Sequence, residues 1–300
     1  MTEFKELQLS DKNLFNEFLK EYNFETYEYA FSTLFIWRSM CKVYHSIINN
    51  ALIVKKVDNE KGEAFMAPIG YDQRDLKTIM DQLIKLKSES LDMKYLLRDV
   101  EEPFLAELIS LYGDKVKYIE DEGNFDYIYN AEELISLSGK KFHSKKNHFN
   151  SFITSYSYCI KDLKEPGVGE ACINFSKKWL DDKTGKTDEL WHELQAIENL
   201  INYCTELNIE GMAVYVEDKI VGFTLGQKLN DDMVIIHIEK GDNDFRGVYA
   251  FLNRVFLDKY FHDIKYVNRQ EDVGLKGLRK AKMSYHPVKF EKKYNVNIEV

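Results

Sequence analysis

The sequence predicts an α+β protein built as two units in tandem, each a mixed, mainly antiparallel sheet flanked by helices. Three observations carry that expectation. From Gly211 the chain reads as a meander of three strands, then loop, helix, strand, helix and strand. The first half runs in a similar order, with neighbouring strands followed by helix, strand, helix and strand. Between the halves lies a step in composition. Glu120–Glu133 holds six acids and no base, and Lys140–Asn150 then holds four lysines, two histidines and no acid. The units are expected at residues 1–130 and 131–300.

Each element has a local reason. Leu7, Leu9, Leu14, Phe15, Phe18 and Leu19 recur at helical spacing, with Ser10 or Asp11 as N-cap. Phe31–Trp37 is a compact apolar segment. Tyr44–Val57 and Ala64–Ile69 read as strands around the polar turn Asp58–Gly62. Asp72–Lys87 carries Leu76, Ile79, Met80, Leu83 and Leu86 on one helical face. Tyr95–Leu97 is a short strand, and Pro103–Tyr112 a helix opened by Pro and stopped by Gly113. Phe125–Tyr129 is a further strand.

The second half opens with a helix over Ala131–Phe152, a strand over Ser155–Ile160 and a helix over Gly169–Leu180. Asp188–Leu207 has the clearest helical period, through Leu190, Leu194, Ile197, Ile201 and Cys204. The meander is Met212–Glu217, Lys219–Leu229 and Met233–Glu239. A loop with two glycines (GDNDFRG) feeds a helix over Val248–Phe261. Tyr266–Asn268, Gly274–Tyr285 and Val288–Val296 follow as strand, helix and strand.

Composition bounds the function. A chain of 300 residues with 44% hydrophobic and 30% charged residues buries a sizeable core and is neither disordered nor fibrous. A net charge of −9 disfavours generic coating of nucleic acid, DNA in particular, and leaves room for a local basic site. Cys41, Cys159, Cys172 and Cys204 form no CxxC pair, so no metal site is expected and the thiols read as reduced. His143 and His148, five residues apart, do not share a helix face as metal ligands do. No apolar run reaches the roughly 18 residues of a membrane helix. The N-terminus lacks the apolar core of a signal peptide, and the expected address is the cytoplasm.

One junction points to chemistry. A loop that feeds a helix N-terminus presents free N–H groups and the positive end of the dipole, which suits phosphate. Arg246 and Gly247 stand at that junction, with Val248 and Tyr249 in the first turn. AVYVEDKIVGFTLGQKL, MVIIHIEKGD and NDFRGVYAFLN together resemble the core of a GNAT-type acyltransferase. Tyr27–Arg38 (YEYAFSTLFIWR), Gly139–Phe152 (GKKFHSKKNHFNSF), His237–Asp242 (HIEKGD) and Asn268–Pro287 (NRQEDVGLKGLRKAKMSYHP) resemble the DUF2156 family, which is similar to the C-terminal catalytic domain of phosphatidylglycerol lysyltransferases.

That resemblance implies two GNAT-like units and an acyl group taken from aminoacyl-tRNA, with no permanently bound cofactor. Acyl-CoA is the other donor open to the fold. Its usual loop reads Gln/Arg-x-x-Gly-x-Gly/Ala, and aligning on Gly247 places Asp244 at the basic position, where an acid repels pyrophosphate. The membrane-embedded part of full lysyltransferases has no counterpart in this sequence.

Acyl transfer to an amine needs a proton acceptor, an activated acyl group and donors for the tetrahedral oxyanion. His237 and Glu239 stand two apart on one strand and are expected on one face, Glu239 as base and His237 as its partner. Tyr285 and Tyr249 are candidate acids for the leaving group. Asn268, Arg269, Glu271 and Asp272 follow the next strand and can hold the acceptor. Arg279 and Lys282 on the following helix, and Lys141, Lys145 and His148 at i, i+4 and i+7 on an earlier one, can meet a substrate or the phosphates of tRNA.

Each feature also has a plainer explanation. His237 and Glu239 suit a hydrogen-bonded strand pair, the lysines a solvated helix face, and Gly247 an ordinary loop closure. A non-catalytic ligand- or RNA-binding module on the same scaffold therefore stands beside the transferase. The first unit offers no acid/base pair comparable to His237–Glu239 and is expected to be scaffold or to recognise the acceptor.

Overall fold

The computed structural model describes residues 3–22, 24–181 and 188–299, and the chain divides into two compact units. The first contains β1 (Lys5–Glu6), α1 (Lys12–Leu19), α2 (Phe31–Ile36), β2 (Cys41–Ile48), β3 (Ala51–Asp58), β4 (Gly62–Phe65), α3 (Leu76–Ser88), β5 (Leu97–Val100), α4 (Glu102–Tyr112) and β6 (Val116–Glu120). The second contains β7 (Asp126–Asn130), α5 (Ala131–Ser136), α6 (His143–Ser155), β8 (Tyr158–Asp162), α7 (Val168–Asp181), α8 (Asp188–Asn202), β9 (Glu210–Val216), β10 (Lys219–Lys228), β11 (Met233–Gly241), α9 (Val248–Tyr260), β12 (Tyr266–Asn268), α10 (Lys276–Met283) and β13 (Lys289–Glu291). The chain then returns to the first unit as β14 (Tyr294–Ile298).

The two sheets share one plan. The first runs β1-β2-β3-β4-β5-β14-β6 and the second β8-β9-β10-β11-β12-β7-β13. In each, an antiparallel meander ends at a parallel pair, β4 with β5 and β11 with β12. In each, a helix crosses from one parallel strand to the other, α3 in the first unit and α9 in the second. The α+β expectation of two GNAT-like units holds.

The unit limits differ from those expected at 130. β14 hydrogen-bonds to β5 and β6, so the chain after β13 belongs to the first unit. β7 pairs with β12 and opens the second at Asp126. Sheet membership follows hydrogen-bond partners, and composition along the chain does not report them. For the same reason the single strand expected over Val288–Val296 is two strands in different sheets.

Two other elements divide at left-handed residues. The strand expected over Tyr44–Val57 is the hairpin β2–β3, turned at Asn49 and Asn50 with φ of 46° and 60°. Both central residues of such a tight turn need positive φ, which Asn tolerates. The helix expected over Ala131–Phe152 breaks after α5, where Leu137 and Gly139 have φ of 47° and 82°.

The core of the second unit lies where α9 crosses its sheet. Phe251, Leu252, Phe256 and Leu257 of α9 bury against Met212, Val214, Val234 and Ile236 of the strands. Phe149 and Phe152 carry α6 onto Phe251, with ring centroids 5.8 and 4.6 Å away. Burying such side chains is worth roughly 1.5–3 kcal/mol each, so this packing fixes α6 and α9.

Candidate functional site

The site is set by where two parallel strands part. β11 and β12 pair only over Met233–Tyr266, Val234–Val267 and Ile235–Asn268. β12 then stops, and β11 continues to Gly241. Gln270 Nε2 donates to the Ile236 carbonyl at 3.1 Å and occupies the first place where the ladder is missing. Deeper in the opening, Arg269 Nη2 donates to Glu239 Oε1 at 2.8 Å. The other carboxylate oxygen, Oε2, accepts from Asn253 Nδ2 of α9 at 3.4 Å.

Other cations and phenols close around this pair. The Arg269 guanidinium stands 4.7 Å from the Tyr285 ring centroid and 5.7 Å from that of Tyr129. Lys145 of α6 places Nζ 3.8 Å from the centre of the Tyr285 ring. Burial and then the nearby Arg269 charge bring the Lys145 amine down to about 8. The same two causes act on Lys282, also brought to about 8, whose Nζ donates to the carbonyls of Arg269 and Gln270. Burial pushes the Tyr285 phenol up to about 12 against the opposing pull of Arg269. Arg269 Nη1 and Asn253 Oδ1 are buried and meet no partner at hydrogen-bond geometry. The centre thus holds an oriented guanidinium, a carboxylate, a protonated phenol and an amine whose pKa is lowered toward the physiological range.

His237 does not join it. The β10–β11 register shifts between Leu225 and Gly226, opposite Ile238 and Ile236, and passes over His237. Simple alternation therefore fails between His237 and Glu239. Glu239 is bonded to Arg269 and Asn253, and burial brings the His237 imidazole down to about 3, neutral at physiological pH. The expected pairing of these two residues is not formed.

The loop-to-helix junction is also different from an open anion cradle. Gly247 has φ of 90°, and a Cβ there would lie 2.0 Å from the His148 carbonyl oxygen of α6. The close approach that glycine permits is made to α6. The Arg246 N–H is taken by the Tyr156 hydroxyl at 3.2 Å, and that of Val248 by the Phe245 carbonyl at 3.1 Å. Tyr249 turns its hydroxyl to the Gly241 carbonyl at 3.1 Å. The Arg246 side chain is exposed.

The remaining expected residues fall into separate groups. Asn268 is buried, donating to Asp126 Oδ2 at 2.7 Å and accepting from the Gln270 N–H. Asp272 is buried and accepts from Tyr127, the Gly274 N–H and Arg279, at 2.5, 2.8 and 2.7 Å, pinning the start of α10. Glu271 is half-buried beside them. Lys141 lies outside the centre, with both its bonds to Glu133 of α5. Sequence reasoning missed Asn253 and Tyr129. Asn253 had a signal, since it is a polar residue on the apolar stripe with Phe256 and Leu257.

The first unit has its own charged centre, which the sequence did not lead us to expect. Lys56 Nζ donates to Glu28 Oε2 at 2.5 Å and to Asp99 Oδ2 at 2.9 Å. Lys293, fully buried, reaches Glu28 Oε1 at 3.5 Å. Asp99 sits at φ of 57° where β5 bulges against β14. Among the described residues of either unit, no group of three His, Cys, Asp or Glu side chains is arranged to hold a metal.

The fold defines a class, the GNAT-like fold in tandem form. Residues 19–297 match the family model described as phosphatidylglycerol lysyltransferase, C-terminal, and the chain belongs to that family. It is similar to a solved conserved protein of unknown function from Bacteroides thetaiotaomicron, with TM-score 0.91, 29% identity and 100% of both chains covered. The L-PGS structure from Bacillus licheniformis shares the fold at TM-score 0.64 and 14% identity, covering 96% of this chain and 92% of that one. An uncharacterized protein of Mycoplasmoides gallisepticum is 30% identical over 200 residues, which is 63% of this chain and 62% of that protein.

Proposed function

We propose that the chain is an acyl- or aminoacyltransferase whose reaction centre is the Glu239–Arg269–Tyr285–Lys145 cluster. The observation that carries this reading is the convergence of β11, α6, α9 and the segments after β12 and α10 on one opening between parted strands. In it, the acceptor amine attacks the acyl carbonyl, a C–N bond forms, and the ester C–O bond to the carrier breaks. One proton moves from the amine to the leaving oxygen. Lys145 in its neutral form, which its lowered pKa of about 8 makes accessible, is suited to take it, and the Tyr285 phenol, protonated at neutral pH, is suited to give one to the leaving group. The Arg269 guanidinium, held by Glu239 beside the Tyr285 ring, is suited to the oxyanion. Glu239, already ion-paired, holds Arg269 in place, which is a different role from the base that spacing suggested.

For the donor we favour aminoacyl-tRNA over acyl-CoA. Gly247 packs on α6 and the Arg246 and Val248 N–H groups are already bonded, which narrows the room for a pyrophosphate at the start of α9. Arg246 at that junction, and Lys140 and Lys146 in the segment leading into and along α6, are exposed and suit the phosphates of a larger carrier. The test is transfer of radiolabelled aminoacyl groups from bulk charged tRNA to lipid or peptide amine and hydroxyl acceptors, with labelled acetyl-CoA in parallel. Transfer from tRNA that R269M abolishes is the expected result. Transfer from acetyl-CoA alone overturns the donor, and saturable tRNA binding without any transfer favours the non-catalytic RNA-binding module.

A further inference from the structure

Each sheet has two edge strands, and three of the four are blunted. β1 and β13 are two and three residues long, too short to template a partner strand. β8 has its outward Asp162 N–H taken by Glu165 Oε1 at 2.7 Å. β6, the last strand of the first sheet, is different. It is five residues long, and Lys117, Tyr118, Ile119 and Glu120 are all exposed. Tyr118 and Ile119 project to opposite faces and are 49% and 50% exposed, so neither face of the strand is covered there.

β14 fixes the direction of the β6 backbone groups. The Asp121 N–H donates to the Lys293 carbonyl at 3.1 Å, and the Glu299 N–H to the Lys115 carbonyl at 2.9 Å. Bonded pairs alternate along an antiparallel ladder, so the odd-numbered residues of β6 bond β14. The N–H and C=O of Tyr118 and Glu120 therefore point to the open side, and an added antiparallel strand must bond through them. For two identical chains related by a two-fold axis, each choice of axis sets the register. An axis at Lys117 or Glu120 puts like charges opposite each other, and one at Tyr118 puts Glu120 opposite Val116. An axis at Ile119 pairs Ile119 with its own copy, Lys117 with Asp121 and Tyr118 with Glu120. Lys117, Ile119 and Asp121 alternate onto one face, so a basic, an apolar and an acidic residue meet an acidic, an apolar and a basic one.

We infer that β6 is a docking edge for a second copy of this chain, joining two first-unit sheets antiparallel about an axis at Ile119. Charge complementarity chooses both the partner and the register. Lys117 now reaches the Asp114 carbonyl at 2.8 Å and Glu299 at 3.7 Å, but both ions of that pair are exposed, and such pairs hold little. Five residues a side are few against the roughly 20–30 of a stable complex, so the dimer forms with concentration. This goes beyond the transferase reading and does not depend on it.

The experiment is sedimentation velocity on the full chain over about a hundred-fold range of concentration. Salt of about 0.15 M screens the repulsion between two chains of net charge −9. A monomer passing to a dimer is expected, with amide exchange at Tyr118 and Glu120 slowing as concentration rises. K117D sets an acid opposite Asp121 and should weaken association about ten-fold, and K117D/D121K should restore it. I119D places two acids at the axis and should leave a monomer throughout. A thermal melt confirms that each variant is folded, and if I119D is not, the charge swap decides alone. A wild-type monomer at every concentration overturns the inference. So does a dimer untouched by I119D, a K117D loss that K117D/D121K does not restore, or exchange at Tyr118 and Glu120 that ignores concentration. No turnover is involved, so a failed transfer assay leaves this result standing, and the reverse holds too.

Discussion

Arg269 and Glu239 join 2.8 Å apart across the place where β11 and β12 cease to be hydrogen-bonded, each largely buried. A gap between parallel strands exposes backbone groups and invites water. Here a side-chain ion pair spans it, with the guanidinium also set beside the Tyr285 ring. The pair is therefore both a brace and the most polar feature of the opening.

Breaking the brace from one side should be costly. R269M leaves the Glu239 carboxylate buried without its cation, and such losses run to roughly 3–5 kcal/mol. The double variant E239Q/R269M should recover part of that. Urea unfolding of both single variants and the double variant gives the coupling. Additive effects would mean that the two side chains do not act as a unit.

Lys145 should leave a signature in pH. Its folded value of about 8 lies below the ordinary 10.5, so between these the unfolded chain holds a proton that the folded chain has released. Stability then rises with pH across that window, relative to a chain lacking the group. Chemical denaturation from neutral pH to about pH 10 should show wild type gaining on K145M. If Lys145 is the proton acceptor, transfer should rise with an apparent pKa of about 8, and K145R should lose that limb. A flat comparison of wild type with K145M would place the amine in open solvent.

Much of this arrangement was legible in the sequence, and the exceptions share a cause. The meander, the crossing helix α9 and the residues Glu239, Arg269, Tyr285 and Lys145 follow from period, glycine placement and family resemblance. Their grouping around Arg269 does not, because it depends on where β12 stops. The His237–Glu239 pairing failed on a bulge, which period-two reasoning passes over. The return of β14 to the first sheet, and with it the Lys293–Glu28 contact, joins residues 265 apart that no local pattern connects.

Two glycines with similar backbones should respond differently to alanine. Gly247 and Gly274 have φ of 90° and 74°, so both substitutions carry the left-handed penalty of roughly 1–2 kcal/mol. A Cβ at Gly274 meets nothing within 4 Å, and one at Gly247 falls 2.0 Å from the His148 oxygen. G247A must also push α6 off α9 and should be the more damaging by at least about 2 kcal/mol. Denaturant midpoints of the two variants decide it. Equal losses would mean that α6 yields easily.

The charged centre of the first unit should make that unit acid-sensitive. Burial and mutual repulsion work to raise Glu28, and burial to raise Asp99. Lys56 and Lys293 outweigh both, leaving the two carboxyls below the ordinary range. A depressed carboxyl contributes stability above its unfolded value, and that contribution fades as pH falls through the folded one. K56M at neutral pH strands two buried carboxylates and should cost roughly 3–5 kcal/mol, whereas E28Q/K56M/D99N, with no charge left on the three, should cost less than K56M alone. The triple variant should also lose less stability than wild type as pH falls from about 5 to about 3. Circular dichroism melts across that range provide the comparison. A K56M protein as stable as wild type would show that water, and not Lys56, satisfies Glu28 and Asp99.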